Sequence, residues 1–123
     1  MSQKLAFSLV SPAREVFSGD VDHVIAPGTD GEFGVLPDHA PFMSTLKNGV
    51  VRVLEGDTVT MRVFVRGGFA DVTPDGLTIL AEEAINLSEI DLNELTDQIS
   101  VARQAADEER VAYLEGIQAA LSA

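Results

Sequence analysis

His23 and His39 are the only imidazoles in the chain, and there is no cysteine. Disulfides, thiolate metal ligands and cysteine nucleophiles are therefore excluded together. His23 sits between Asp22 and Val24 in a strand-like run, where a surface or packed histidine is the ordinary reading. Asp20, Asp22 and His23 have the composition of a metal cluster, but on an extended strand the two aspartates face one way and the histidine the other. Ser8, Ser11, Ser18 and Ser44 lack the strand-to-helix elbow that exposes a nucleophilic serine. Residues 28–34 are glycine-rich but are no phosphate loop, because no lysine follows and no long helix offers its N-terminus. No catalytic residue, metal site or cofactor is expected.

The densest functional signal is Gly31-Glu32-Phe33-Gly34-Val35-Leu36-Pro37-Asp38-His39-Ala40-Pro41. As structure it reads as a strand end and a rigid loop. As function it presents Glu32, Asp38 and His39 from a stiff turn that loses little conformational entropy on docking.

The elements that position this loop divide the chain in two. Nine of the ten glycines, all five prolines and all six phenylalanines lie at or before Gly76. Gly and Pro punctuate turns, so many short segments are expected first and something long and uninterrupted afterwards. Leu5, Phe7 and Leu9 share one face of a period-two pattern, and Val59, Met61, Val63 and Val65 share another. Phe64 falls on the opposite side of that second strand, with Thr60, Arg62 and Arg66. Shorter apolar runs at residues 21–26, 50–54, 69–72 and 77–81 are separated by turn signals such as Ser18-Gly19-Asp20, Glu55-Gly56-Asp57 and Pro74-Asp75-Gly76. Such close spacing leaves no room for parallel crossovers. The expected fold is α+β and mainly β: a compact antiparallel β-sandwich or barrel of about eight to ten strands over residues 1–86, then a helical tail, read as an α-helical hairpin, over residues 87–123. Gly67-Gly68, between two strand-like runs, reads as a bulge or tight corner where a backbone or a ring passes closely.

In the tail, Ser88 stands three residues before Asp91, an acidic form of the capping box, and marks the expected helix start. Leu92, Leu95, Ile99, Ala102 and Ala106 form one helical stripe, and Val111, Leu114, Ile117 and Leu121 a second. Two antiparallel helices turning near residues 105–107 explain both stripes. One longer helix is the alternative, because no Gly or Pro marks the turn.

The formal net charge is −12, which opposes binding to nucleic acid or to anionic lipid. At 46% hydrophobic residues the chain is too apolar for a disordered acidic tail. It has no apolar run of transmembrane length, and Met1 to Val10 lack the features of a signal peptide. A soluble product is expected.

The Gly31 to Pro41 stretch resembles the signature of the epsilon subunits of F-type ATP synthases, the counterparts of the mitochondrial delta subunit. Val10-Ser11-Pro12, Val16-Phe17-Ser18-Gly19, Pro27-Gly28, Lys47-Asn48-Gly49, Val65-Arg66-Gly67-Gly68-Phe69 and Ile79-Leu80-Ala81 resemble the family in the same order. The resemblance implies a non-catalytic rotor subunit of the central stalk, whose sandwich binds the gamma subunit and rests on the ring of c subunits, coupling proton flow to ATP synthesis. It places Glu32 and His39 at the c ring and Ser11 near gamma, with Asp38 as their neighbour. It also implies a peripheral position on the cytoplasmic face of a bacterial inner membrane, held only through protein partners. Without a transit peptide ahead of the sandwich, a bacterial or organelle-encoded origin is expected over import into mitochondria.

The tail departs from the family. Its nucleotide motif I-D-x-x-R-A is matched by Ile90-Asp91, but Glu94 stands where the arginine belongs and Leu95 where the alanine belongs. Charge reversal beside the would-be phosphates makes ATP binding there unexpected. Residues 82–123 hold ten acids against two bases, Arg103 and Arg110, a net of −8 out of the chain's −12. The family's inhibitory second helix is basic and meets an acidic segment of the beta subunits, so this tail would bring like charge to the alpha and beta subunits. From Asp107 onward it spans only ~25 Å as helix. The hairpin is expected to stay folded on the sandwich, with weak or absent inhibition. A free-standing sandwich module for a ligand such as carbohydrate, with a dimerising tail, is the alternative function. The absence of tryptophan and the single tyrosine, Tyr113, count against it.

Overall fold

A computed structural model describes residues 4–122, so the outermost ends of the expected domains, residues 1–3 and 123, lie outside the described residues. Ten strands follow one another: β1 (Leu5–Val10), β2 (Glu15–Val21), β3 (His23–Gly28), β4 (Gly31–Val35), β5 (Phe42–Leu46), β6 (Gly49–Glu55), β7 (Thr58–Arg66), β8 (Gly68–Thr73), β9 (Gly76–Leu80) and β10 (Glu83–Asn86). Hydrogen bonding joins them in the order β10-β7-β6-β3-β5-β8-β9-β1-β2, with β4 beside β3. β3 meets β5 through one residue pair, Gly28 with Leu46. That narrow join divides the path into two layers packed face to face, β10-β7-β6-β3-β4 against β5-β8-β9-β1-β2. Among the described strands only β1 and β9 pair in parallel; the other ladders are antiparallel, as the short spacers require.

Alternation produces the core. Leu5, Phe7 and Leu9 of β1 point between the layers with Val63 and Val65 of β7, and all are buried. Val59 leaves its expected stripe and is 41% exposed. The register shifts opposite it, between Val53 and Leu54, and the bulge breaks the period of two. At the other end of β7, Gly67 and Gly68 have φ of +57° and +127°. A Cβ on Gly68 would collide with the carbonyl of Leu80, so the pair forms the tight corner expected of it.

After a 3₁₀ turn at Leu87–Glu89 come α1 (Leu92–Gln104) and α2 (Glu108–Ser122), a hairpin rather than one long helix. The expected start at Ser88 is corrected. Ser88 lies in the 3₁₀ turn and donates its N–H and hydroxyl to Asn86 Oδ1, at 3.0 and 2.8 Å. Asp91 is the cap of α1, its Oδ1 accepting from the N–H groups of Asn93 at 2.8 Å and Glu94 at 3.3 Å. The interhelix turn carries no glycine because Ala106 takes the left-handed position itself, at φ +56°. Its N–H donates to the Arg103 carbonyl and that of Asp107 to the Ala102 carbonyl, each at 3.0 Å, which is the Schellman arrangement. Asp107 then caps α2 by accepting the Arg110 N–H at 3.1 Å.

Leu95, Ile99 and Ala102 of α1 and Tyr113, Leu114 and Ile117 of α2 are buried, whereas Leu92 is 61% exposed and Ala106 is exposed, both outside the stripe they were expected to join. These side chains form a second cluster closing over Phe64, whose ring points out of the sandwich. A Cβ on Gly116 would lie 2.7 Å from Phe64 Cζ. The tail's one glycine thus costs about 1 kcal/mol of helix propensity and lets α2 settle onto the ring.

Relief of the strain at Ala106 gives a test of the turn. Ala106→Gly should raise stability by about 0.5–1 kcal/mol, read as a higher urea midpoint with an unchanged slope. A lower midpoint would contradict the left-handed assignment.

Candidate functional site

Glu32 lies on β4, which among the described strands pairs only with β3 and forms an edge. Strand alternation turns Val35 and Phe33 toward the core and Glu32 outward, where its carboxylate accepts from Arg52 Nη2 at 2.8 Å. Beyond β4 the chain reverses at Pro37-Asp38. The His39 N–H donates to the Leu36 carbonyl at 3.2 Å, and Asp38 has φ +64°. Proline second and a left-handed residue third is the pattern of a type II turn, with aspartate doing what glycine more often does. His39 Nδ1 donates to the Ala40 carbonyl at 2.9 Å. Its ring lies 5.2 Å from Phe42, which in turn meets Phe33 edge-on at 5.2 Å. This chain of rings ties the loop to β4. Glu32 and His39 stand at opposite ends of β4, while Asp38 and His39 are adjacent and exposed.

Ser11 belongs to the other layer. It follows β1, is buried, and its N–H and Oγ both donate to the Arg14 carbonyl, at 2.9 and 3.3 Å. Its hydroxyl is engaged by its own turn, so what Ser11 offers a partner is position and shape. It borders a groove of about 390 Å³ formed with Val10, Pro12, Leu80, Ala81 and Glu82. Register explains the groove: Thr45 lies opposite Phe69, Phe69 opposite Leu80, and Leu80 opposite Val10. These four residues make a row across the outward face of β5-β8-β9-β1. Leu80 is 53% exposed at its centre, and Phe69 and Val10 are half-buried. Sequence reasoning did not find this row. Its signal is weak, an apolar residue on the polar side of each of three alternating strands.

The outward face of the first layer carries a comparable row, Val50–Phe64–Ile85, which the hairpin covers. Tyr113 packs 5.7 Å from Phe64, and the Arg110 guanidinium sits 5.2 Å over the Tyr113 ring. Burial pushes the Tyr113 phenol up to about 12, so it stays neutral. At the seam, Arg110 Nη1 donates to both Glu83 oxygens at 2.6 Å, and Arg66 reaches Glu83 at 3.4 Å and Glu109 at 3.0 Å. Glu83 beside Arg66 holds that guanidinium charged even above its usual range. Arg103 pairs with Glu115 across the helices. Both bases of the tail are therefore paired within the chain.

Between β10 and the helices lies a cleft of about 260 Å³ whose polar lining includes Glu83, Glu89, Asp91, Glu94, Gln98 and Arg110. Asp91 is already a helix cap, and Arg110 is held by Glu83. Four carboxylates around one neutralised cation oppose the phosphates of a nucleotide.

Residues 4–87 match the family model of the ATP synthase delta/epsilon chain β-sandwich domain. The ATP synthase epsilon chain of Hyphomonas neptunium is 61% identical, with 99% of each chain covered. That of Maricaulis maris is 52% identical over 89% of this chain and 84% of the relative. The fold is similar to a chain of the Euglena gracilis mitochondrial ATP synthase, in an assembly of OSCP, F1 and c-ring, with TM-score 0.77 and 24% identity over 98% of this chain and 83% of that one. It is also similar to one from the Tetrahymena thermophila mitochondrial central stalk and c-ring, with TM-score 0.64 and 17% identity over 97% of each.

Proposed function

The chain belongs to the family of ATP synthase epsilon chains, and from that premise we propose that it is a non-catalytic rotor part of the central stalk whose bare sheet face seats the gamma subunit. The observation that carries this reading is the asymmetry of the two outward faces. Phe64 and its row are covered by the chain's own helices, whereas the row of Phe69, Leu80 and Val10 is left open. An apolar row at the centre of a sheet face suits a permanent protein partner. Ser11 borders that row, in keeping with the gamma contact expected of it.

The stiff loop holding Asp38 and His39, with Glu32 at the far end of β4, is the proposed contact with the polar loops of the c ring. An exposed carboxylate such as Glu32 contributes only ~0–1 kcal/mol to such a contact and serves orientation more than affinity. Residues 1–86 are thus proposed as the rotor-binding domain and 87–123 as a hairpin domain that touches the alpha and beta subunits weakly and inhibits ATP hydrolysis little or not at all. No helix among the described residues is long and apolar enough to cross a membrane. The proposed location is the cytoplasmic face of the bacterial inner membrane, reached through gamma and the c ring.

Leu80→Asp tests the docking face. It should weaken binding to purified gamma at least about tenfold, while the urea midpoint stays near that of the unchanged protein. Val101→Asp, on an exposed position of α1, should leave binding unaltered. Equal binding by the Leu80 variant would overturn the assignment. For the cleft, an NMR titration of the isolated chain with ATP should stay flat at residues 91–103, and saturable shifts there would show a nucleotide site.

A further inference from the structure

We propose that Glu83 is an electrostatic latch that holds the helical hairpin on the sandwich. The inference rests on the reading that the hairpin is a unit separable from the sandwich and goes beyond it by naming the group that controls release. Glu109, Arg66, Glu83 and Arg110 form a chain of alternating charge across the seam, with Arg66 and Glu83 directly opposite each other on β7 and β10 and the other two on α2. The sandwich half of this network is fixed by the β ladder. The tail half sits in the first turn of α2, where the helix dipole welcomes Glu109 and disfavours Arg110. Arg110 is held there against the dipole by both oxygens of Glu83 and by the Tyr113 ring beneath it.

Both bodies are acidic, since residues 87–123 hold eight acids and two bases, a net of −6, and residues 1–86 carry the other −6. Among the described residues, Glu83 is the one carboxylate bonded to cations from both bodies, Arg66 of the sandwich and Arg110 of the tail. Without its carboxylate, Arg66 and Arg110 face each other across the seam, and the polar links left between the two bodies are Arg66 to Glu109 at 3.0 Å, Arg62 Nη1 to the Ala120 carbonyl at 3.3 Å and Arg14 to Glu89 at 3.8 Å. The apolar seat on Phe64 remains, but the docked state loses the two short bonds that hold Arg110 in the first turn of α2.

Amide hydrogen exchange on the isolated full chain reads this directly, because local opening of α2 is seen separately from the sandwich. In Glu83→Gln, exchange at Tyr113, Leu114 and Ile117 should quicken about fivefold, while β1 amides at Phe7 and Leu9 stay unchanged. Arg110→Gln, which alters only the tail, should act alike, and the double variant should be no faster than either single one. Added salt should speed the unaltered chain toward the rate of the Glu83 variant. Gly116→Val, which drives a side chain into Phe64, gives the rate expected of an undocked hairpin. Unchanged α2 exchange in the Glu83 variant would overturn the latch, and so would equal acceleration in α2 and β1. No gamma subunit is present, so failure here leaves the Leu80 docking result standing.

Discussion

The contact between Phe64 and Gly116 determines what the rest of the molecule can do. Alternation along β7 places Val63 and Val65 between the layers and sends Phe64 outward, where a bare ring would leave about 2–3 kcal/mol of burial unrealised. The helix that covers it can come close enough only because residue 116 has no side chain. Once α2 is seated, Tyr113 stacks beside the ring, Arg110 lies over Tyr113 and reaches Glu83, and α1 closes the cluster through Leu95, Ile99 and Ala102. The helices therefore take their place from one aromatic side chain on the wrong side of a strand.

That seat makes the sandwich one-sided. Two layers of similar construction each expose an apolar row, and the chain has helices enough to cover one of them. The open row of Phe69, Leu80 and Val10 is then available to a partner without any rearrangement. The loop proposed to meet the c ring is separate from it: Pro37-Asp38 and the rings of His39, Phe42 and Phe33 stiffen a segment at the β4 edge, in the opposite layer from Ser11. Two proposed docking surfaces on one small body suit a coupling part.

Much of this is legible in the residues. The period of two in β1, the absence of Gly and Pro between Gly76 and Gly116, and the helical stripes lead to a sandwich followed by a hairpin. What stays hidden depends on tertiary contact. Asp91 replaces Ser88 as the cap because the chain first makes a 3₁₀ turn. The interhelix turn has no marker because alanine takes a glycine's conformation. Val59 leaves its stripe at a bulge whose extra residue, Thr60, lies in β7 itself and is set by pairing with β6. The candidate loop is visible through its prolines and glycines, but the open row is not, because nothing in the spacing of Phe69 and Leu80 says which outward face the tail will cover. Glu83 and Arg110 stand 27 residues apart, and only the fold brings them together.

The tail's acidity acquires a local meaning from these contacts. Its two bases are bound to Glu83 and Glu115, its cleft is lined with carboxylates, and its apolar stripes face the sandwich. A hairpin so engaged has both of its bases paired within the chain, in keeping with the weak inhibition proposed for it. The central claim is that the hairpin serves the sandwich and not inhibition. Deleting residues 88–123 from an assembled synthase and comparing ATP hydrolysis with the intact complex tests it most directly. The predicted result is a rate changed by less than about twofold, a barrier difference within RT; a large rise in ATPase rate on deletion would contradict the account.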